Sequence, residues 1–293
     1  APPNASYTLD RFRTITGGGG VYSVQQIDVA DITMPVGFKN ALKVKLTTKD
    51  SSIAAGDIYA VEQIIEGSNI TDLDFGLVTA KTITVSFWVR ATVAGTYGAA
   101  IRNTDGLRSY PYSYTINDVD TWEYKTITIA GDTTGTWLTT TDKGVRVGFD
   151  LGSGTTYQGT SGAWAATNSF APTGSTQFIG GTVNDTFYIT GIQFEVGSVA
   201  TPFERRQYGQ ELMLCKRYYQ NGRAIMDCAV NSTTTVRQLA TPLEVEMRVQ
   251  PTVVTSSTVG SPTVNASGNK ILSAYSTATT TYMAYSYQAS AEL

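Results

Sequence analysis

The sequence predicts an all-β protein: an antiparallel jelly-roll β-sandwich, one connecting helix and a small C-terminal β domain. Three observations predict it. Short stretches of alternating apolar and polar residues recur along the chain, which is the period of a half-buried strand. Turn residues separate them about every ten to fifteen positions, the spacing of antiparallel sandwiches. Only one segment has helical periodicity, so no crossover helices are present to build a parallel sheet. Composition agrees. Of 293 residues 41% are hydrophobic and only 15% charged, with 28 Gly and 9 Pro for turns, a balance that suits a β-rich virion or extracellular protein better than a helical enzyme.

The elements follow in order. Four consecutive glycines, 17–20, predict a flexible turn. They are no phosphate loop, because no Gly-Lys-Ser/Thr follows. Strands are expected at 21–29, 40–48, 58–67, 81–92, 96–103, 110–117, 122–130, 144–152 and 185–197. In 81–92 the alternation is clean, with Ile83, Val85, Phe87 and Val89 on one side and Thr82, Thr84, Ser86, Trp88 and Arg90 on the other. Residues 153–184, rich in Gly, Thr and Ser, predict a long loop carrying Tyr157, Trp164 and Phe170. Pro202 ends the strand before it, having no N–H for a ladder. Tyr208, Leu212, Cys215 and Tyr219 then fall at i, i+4, i+7 and i+11. They share one face of an amphipathic helix that covers the end of a core. The expected organisation is a jelly roll over 1–205, a connecting helix over 206–220 and a small β domain over 221–293. Five strands are expected in the last, at 222–231, 234–241, 243–249, 252–258 and 280–293. In the final one Met283, Tyr285 and Tyr287 oppose Tyr282, Ala284, Ser286 and Gln288.

Much chemistry is excluded. The chain has no histidine, which removes Ser–His and Cys–His nucleophiles and histidine metal sites. Its two cysteines, Cys215 and Cys228, cannot make a four-ligand zinc site and read as buried unpaired thiols. A net charge of −3 with no basic block argues against nucleic acid. No run of 18 apolar residues exists to span a membrane, and the first ten residues lack the apolar core of a signal peptide. A pair of carboxylates could still serve glycoside hydrolysis. Glu62, Glu66, Asp72, Asp74, Asp118, Asp120 and Glu123 are available, but no motif singles out a pair, and solvated loop carboxylates account for them. Asn69, Asp72 and Asp74, and Asn117, Asp118 and Asp120, form oxygen-rich clusters of the kind a structural Ca²⁺ needs. Neither has the spacing of a twelve-residue calcium loop, so Asx turns explain them and no cofactor is expected.

Aromatics are the richer signal, with 17 Tyr and 4 Trp. An aromatic ring offers a flat apolar platform to the C–H face of a sugar. Candidate ligand contacts are Tyr97, Tyr110, Tyr112, Tyr114, Tyr157 and Trp164. Tyr110, Tyr112 and Tyr114 share a strand face. Such a row serves a ligand if exposed, and a core or another subunit if not.

The run Ile189–Gln220 resembles a segment that recurs in bacteriophage and prophage tail-fibre and other virion appendage proteins. The matching residues are Gln193, Glu195, Gly197, Ala200, Thr201, Pro202, Phe203 and Glu204 of a strand and its exit, then Tyr208, Gly209, Glu211, Leu212, Leu214, Cys215, Arg217, Tyr218 and Tyr219 of a helix. Residues 247–253 and 289–293 fit that family's short C-terminal domain, and 7–13 resemble the start of its jelly roll. A strand that precedes this start in such relatives is lacking, so the resemblance implies a truncated N terminus or a first strand supplied from elsewhere.

The resemblance implies a non-enzymatic structural protein of the phage particle, of tail-fibre or head-fibre type and assembled in the host cytoplasm. It would display a carbohydrate-binding-module-like jelly roll for host attachment. Implied partners are other virion proteins, a host-surface glycan and the chain itself as a homotrimer, joined through the helix and C-terminal domain. Residues 251–291 carry one charge, Lys270, so that region is readily buried between subunits. Two alternatives stand: an architectural capsid-decoration or tail accessory protein without sugar binding, and a polysaccharide depolymerase.

Overall fold

The computed structural model describes residues 6–9, 11–104, 107–227, 237–276 and 282–292. They form two compact units, Ala1–Glu204 and Arg205–Leu293.

The first unit is an antiparallel sandwich. One sheet has six strands: β1 (Ser6–Tyr7), β2 (Phe12–Gly17), β5 (Ile58–Glu66), β10 (Lys143–Ser153), β7 (Gly95–Asn103) and β8 (Ser109–Ile116), in that spatial order. The other has five: β3 (Val21–Asp28), β4 (Asn40–Thr48), β13 (Thr186–Val196), β6 (Ile83–Ala91) and β9 (Glu123–Ile129). The chain crosses repeatedly between the sheets, with β1–β2, β3–β4 and β7–β8 pairing as neighbours within one sheet, as two packed antiparallel sheets of a jelly roll allow. Nine of the main strands lie where the alternation places them, while β2 carried no pattern strong enough to single it out. The glycines at 17–20 connect β2 to β3.

Alternation also orients the sheets. Ile83, Val85, Phe87 and Val89 of β6 are fully buried and face Val61, Phe149 and Tyr97 of the other sheet within one core. Phe87 meets Tyr114 and Phe149 edge-on, with ring centroids 5.0 and 5.1 Å apart. Burial of each such side chain contributes about 1.5–3 kcal/mol. The long connection from β10 to β13 is ordered by a short parallel pair, β11 (Gln158–Gly159) and β12 (Ala171–Pro172).

The second unit opens with helix α1 (Tyr208–Lys216). It is shorter than the pattern predicts. The helix stops at Arg217, and Tyr219 enters strand β14 (Tyr219–Asp227), paired with β19 (Tyr282–Ser290). A long-range ladder outweighs one more helical turn for a β-favouring tyrosine. The helix buries none of its residues, so the expected core-covering stripe is absent. Strand β16 (Thr252–Val259) completes a three-stranded sheet, order β14-β19-β16. A second sheet, order β15-β18-β17, is built from β15 (Arg237–Pro242), β17 (Thr263–Ala266) and β18 (Ile271–Ser276). Residues 243–249, expected as a strand, form turns instead, while β17 and β18 were not expected. Met283, Tyr285 and Tyr287 of β19 all face this unit's own core. The two tyrosines therefore leave little for a neighbouring subunit to bury. Cys215 is half-buried, and Cys228 lies outside the described residues.

Candidate functional site

The structure divides the six aromatic candidates. Tyr97, Tyr112 and Tyr114 are buried, at 0, 3 and 4% exposure, so the expected exposed row is corrected: it faces the sandwich core. The physical reason lies in Ser113 and Thr115, the polar alternates that leave Tyr112 and Tyr114 as the apolar face of β8, with Tyr97 of β7 paired beside Tyr114 on that face. Burial pushes the Tyr112 and Tyr114 hydroxyls well above their ordinary range, and neither has a hydrogen-bond partner. Tyr110, Tyr157 and Trp164 are half-buried. Trp164 packs on Tyr110 at 5.2 Å and on Trp137 at 5.5 Å, and its indole N–H donates to Ala130 O at 2.7 Å. The long loop thus pins Trp164 against one end of the sandwich.

The outer face of the six-stranded sheet is filled. Glu62 of β5 is fully buried and bonded by both Arg13 of β2 and Arg102 of β7. Burial alone would raise its pKa, but Arg102, Arg13 and Arg146 outweigh it and hold the carboxylate ionised. Arg102 also donates to Asn168 Oδ1 at 2.8 Å and lies over the Phe170 ring at 3.3 Å. Phe170 packs with Ile15, Ile58 and Ala60. Asp150, on β10 of the same sheet, is fully buried and accepts from Ser153 Oγ. Its Oδ2 has no partner, and burial pushes its pKa up to about 7. The 153–184 loop therefore closes this face with side chains, leaving no open cleft for a sugar.

The remaining carboxylate candidates do not converge. Glu66 is buried and accepts from Ser68 Oγ at 2.6 Å. Asp120 pairs with Arg90 at 3.0 Å. Glu123 is bonded by Lys125 and by the Asn117 and Asp118 amides; these bonds overcome burial and lower its pKa to about 2. Among the described residues no group of three or more acidic or thiol side chains gathers in a way that could hold a metal ion. An open cleft of about 490 Å³ is lined by Thr16, Gly17, Gly18, Gly20, Val21, Gly56 and Asp57. It offers backbone and one carboxylate but no aromatic ring.

The motif between Gln193 and Glu204 is a clasp. Gln193 Nε2 donates to Glu195 Oε1 and Thr201 Oγ1, both at 3.0 Å. Thr201 donates its N–H and hydroxyl to the two Glu195 oxygens at 2.9 and 2.6 Å, and Glu204 N–H donates to Gln193 Oε1 at 2.8 Å. Phe203 meets Phe38 edge-on at 5.1 Å. Phe38 in turn covers Gly191, where φ is +58° and a Cβ would lie 2.5 Å from the ring. Pro202 is exposed between these anchors. The helical half of the motif behaves oppositely. Tyr208 is 81% exposed, and Leu212, Met213 and Leu214 also face solvent. Gly209 is exposed, and Glu211 pairs with Arg206 at 3.4 Å. Tyr218 is buried, its ring close to the Arg217 guanidinium.

Sequence reasoning passed over the outer face of the five-stranded sheet. There Trp88 of β6 stands directly across from Tyr124 of β9, rings 5.3 Å apart and tilted 47°. Tyr124 is exposed and Trp88 half-buried. The signal was present, since Trp88 sits among Thr84, Ser86 and Arg90 on the polar side of a cleanly alternating strand.

No family model matches the chain, and no curated protein matches it by sequence. Similar solved structures include the enzymatically active domain of bacteriophage CBA120 tailspike protein 4, at 10% identity and a TM-score of 0.37, covering 65% of this chain. The chain spans 20% of that tailspike structure. A family 11 carbohydrate-binding module from Clostridium thermocellum, in complex with a β-1,3-1,4-mixed-linked tetrasaccharide, gives 14% identity and a TM-score of 0.33 over 66% of this chain and 93% of that one. TmCBM61 in complex with β-1,4-galactotriose gives 9% and 0.33 over 65% and 92%. At these scores the likeness bears on neither ligand nor activity.

Proposed function

We propose that the chain is a non-catalytic subunit of a phage virion appendage, which contacts a host-surface glycan and assembles as a homotrimer. The observation that carries this reading is the split within the 189–220 segment. Its strand half is consumed by bonds inside the sandwich, while its helical half presents Tyr208, Leu212, Met213 and Leu214 to solvent. Apolar residues on one short helix that stay part or mostly exposed suit burial between subunits. Among the described residues no helix is long and apolar enough to cross a membrane. Binding without cleavage is supported by the state of the carboxylates: Glu62 is locked between guanidiniums, and the others are dispersed.

The test is light scattering with host-cell binding on the full chain. A mass near three times 31.4 kDa, reduced by Leu212→Asp, together with retention on host cells, supports the reading. A monomer that ignores host cells overturns it. A trimer that ignores host cells points to the architectural alternative, which the filled outer face of the six-stranded sheet favours. Release of reducing ends from host polysaccharide would establish the depolymerase instead.

A further inference from the structure

We propose that the outer face of the five-stranded sheet carries the saccharide site: Trp88 and Tyr124 stack an uncharged pyranose ring, and the Arg90–Asp120 pair bonds its hydroxyls. The inference rests on the glycan-binding reading above and names its site.

Four observations converge. First, Trp88 and Tyr124 are opposed residues on adjacent strands, so the backbone ladder fixes their spacing before any ligand arrives. Rings tilted at 47° and 5.3 Å apart make a shallow, folded platform. Secondly, that platform is not a core that failed to close. Every neighbour on the same face of β6 and β9 is a small hydroxyl residue or a charge: Ser86, Thr126, Thr128 and Arg90. Leaving Tyr124 exposed and Trp88 only part-covered forfeits some of the burial free energy that each would gain inside.

Thirdly, a donor and an acceptor stand together beside the platform. Arg90 follows Trp88 on the same strand face and donates to Asp120 Oδ1 at 3.0 Å. Asp120 is set by its backbone, with φ at +55° and its N–H bonded to Ala91 O at 2.8 Å. Vicinal sugar hydroxyls both donate and accept, so an adjacent guanidinium and carboxylate complement them. Fourthly, the local charge is balanced. Arg90 pairs with Asp120 and Lys125 with Glu123, so the charges beside the two rings are matched; Lys43 shares the face but stands two strands from Arg90, across Tyr188. The size excludes a protein partner as the main occupant: two partly exposed rings fall far below the roughly 800 Å² per side of a stable interface, and match one or two sugar rings.

The test starts with the full chain on a glycan array of neutral and uronic-acid-bearing oligosaccharides. Titration calorimetry follows with the strongest neutral oligosaccharide, alongside host-cell binding. We expect a neutral oligosaccharide to bind. Trp88→Ala and Tyr124→Ala should each weaken it at least about tenfold, Arg90→Gln several-fold, and Tyr124→Phe hardly at all, since the ring is kept. Tyr124 lies exposed on an edge strand, so its variants keep the fold and decide the test even if Trp88→Ala disturbs the sheet. Unchanged affinity in Tyr124→Ala, with loss in Trp164→Ala, overturns this site and leaves the glycan reading standing. Equal losses in Tyr124→Ala and Tyr124→Phe overturn stacking. Binding restricted to acidic oligosaccharides overturns the ligand class. A parent protein that binds neither the array nor host cells overturns both this site and the reading beneath it.

Discussion

The two outer faces of the sandwich solve opposite problems with similar strands. The six-stranded sheet buries charge: Glu62, Arg102 and Asp150 are at most 1% exposed beneath a thirty-residue connection that lays Phe170 over a guanidinium. The five-stranded sheet exposes Tyr124 and leaves its outer ion pair in partial contact with water, with Arg90 and Asp120 at 20 and 54% side-chain exposure. What separates them is the covering segment. Where the 153–184 loop lies, polar groups must be paired inside the protein or made neutral. Over the five-stranded sheet the cover is partial: Ile32, Met34 and Trp122 pack on Tyr188, while Tyr124 stays exposed.

Variants can break this contrast. The largest effect is expected from Glu62→Gln, which leaves the buried Arg13 and Arg102 without their counter-charge. It should cost about 3–5 kcal/mol, read as a drop in urea midpoint at constant slope. Phe170→Ala should cost about 3 kcal/mol by opening a void over Arg102. The same measurement on Arg90→Ala should show less than about 1 kcal/mol, and on Tyr124→Ala about 0.5 kcal/mol. An Arg90 effect as large as that of Glu62 would erase the distinction between the faces.

The closed face also predicts a pH signature. Asp150 is raised from 3.8 to about 7 in the folded protein, so the folded state holds a proton that the unfolded chain has lost. That contribution is complete below about pH 4 and is lost as pH rises to about 7. Glu62 is shifted downward, so its contribution is present above its ordinary pKa and lost as acid protonates it. The difference in melting temperature between Asp150→Asn and the parent should therefore widen in the variant's favour between pH 4 and 7, then level off. A flat difference across that window would show Asp150 ionised throughout. Gln193→Ala should cost about 1 kcal/mol, by loosening the clasp around Thr201.

Most of the sandwich was legible because its strands alternate, and alternation states both the element and its buried side. Tyr112 and Tyr114 show how that information can be underused. They share a face, and the polar Ser113 and Thr115 between and beyond them mark that face as the inner one. Trp88 is the converse case, an aromatic on the polar face of its strand. What local pattern could not contain was pairing at a distance. Tyr219 satisfies helical spacing until β19, more than sixty residues away, offers it a ladder. The Glu62 cluster draws Arg13, Arg102 and Arg146 from three strands, and no window of sequence holds them together.

The clasp at the end of β13 has a mechanical consequence. The chain leaves the sandwich just after Glu204, tied back by Gln193 and Glu195. The strand it ties to is the middle one of its sheet, with β4 on one side and β6 on the other. Tension drawn through the backbone beyond residue 204 would first meet the clasp, then load both ladders of β13 in shear. Many hydrogen bonds would then resist together, where peeling an edge strand would break them one at a time. On the appendage role proposed above, a chain pulled while its particle is held at a cell surface would be well served by leaving its own fold from the centre.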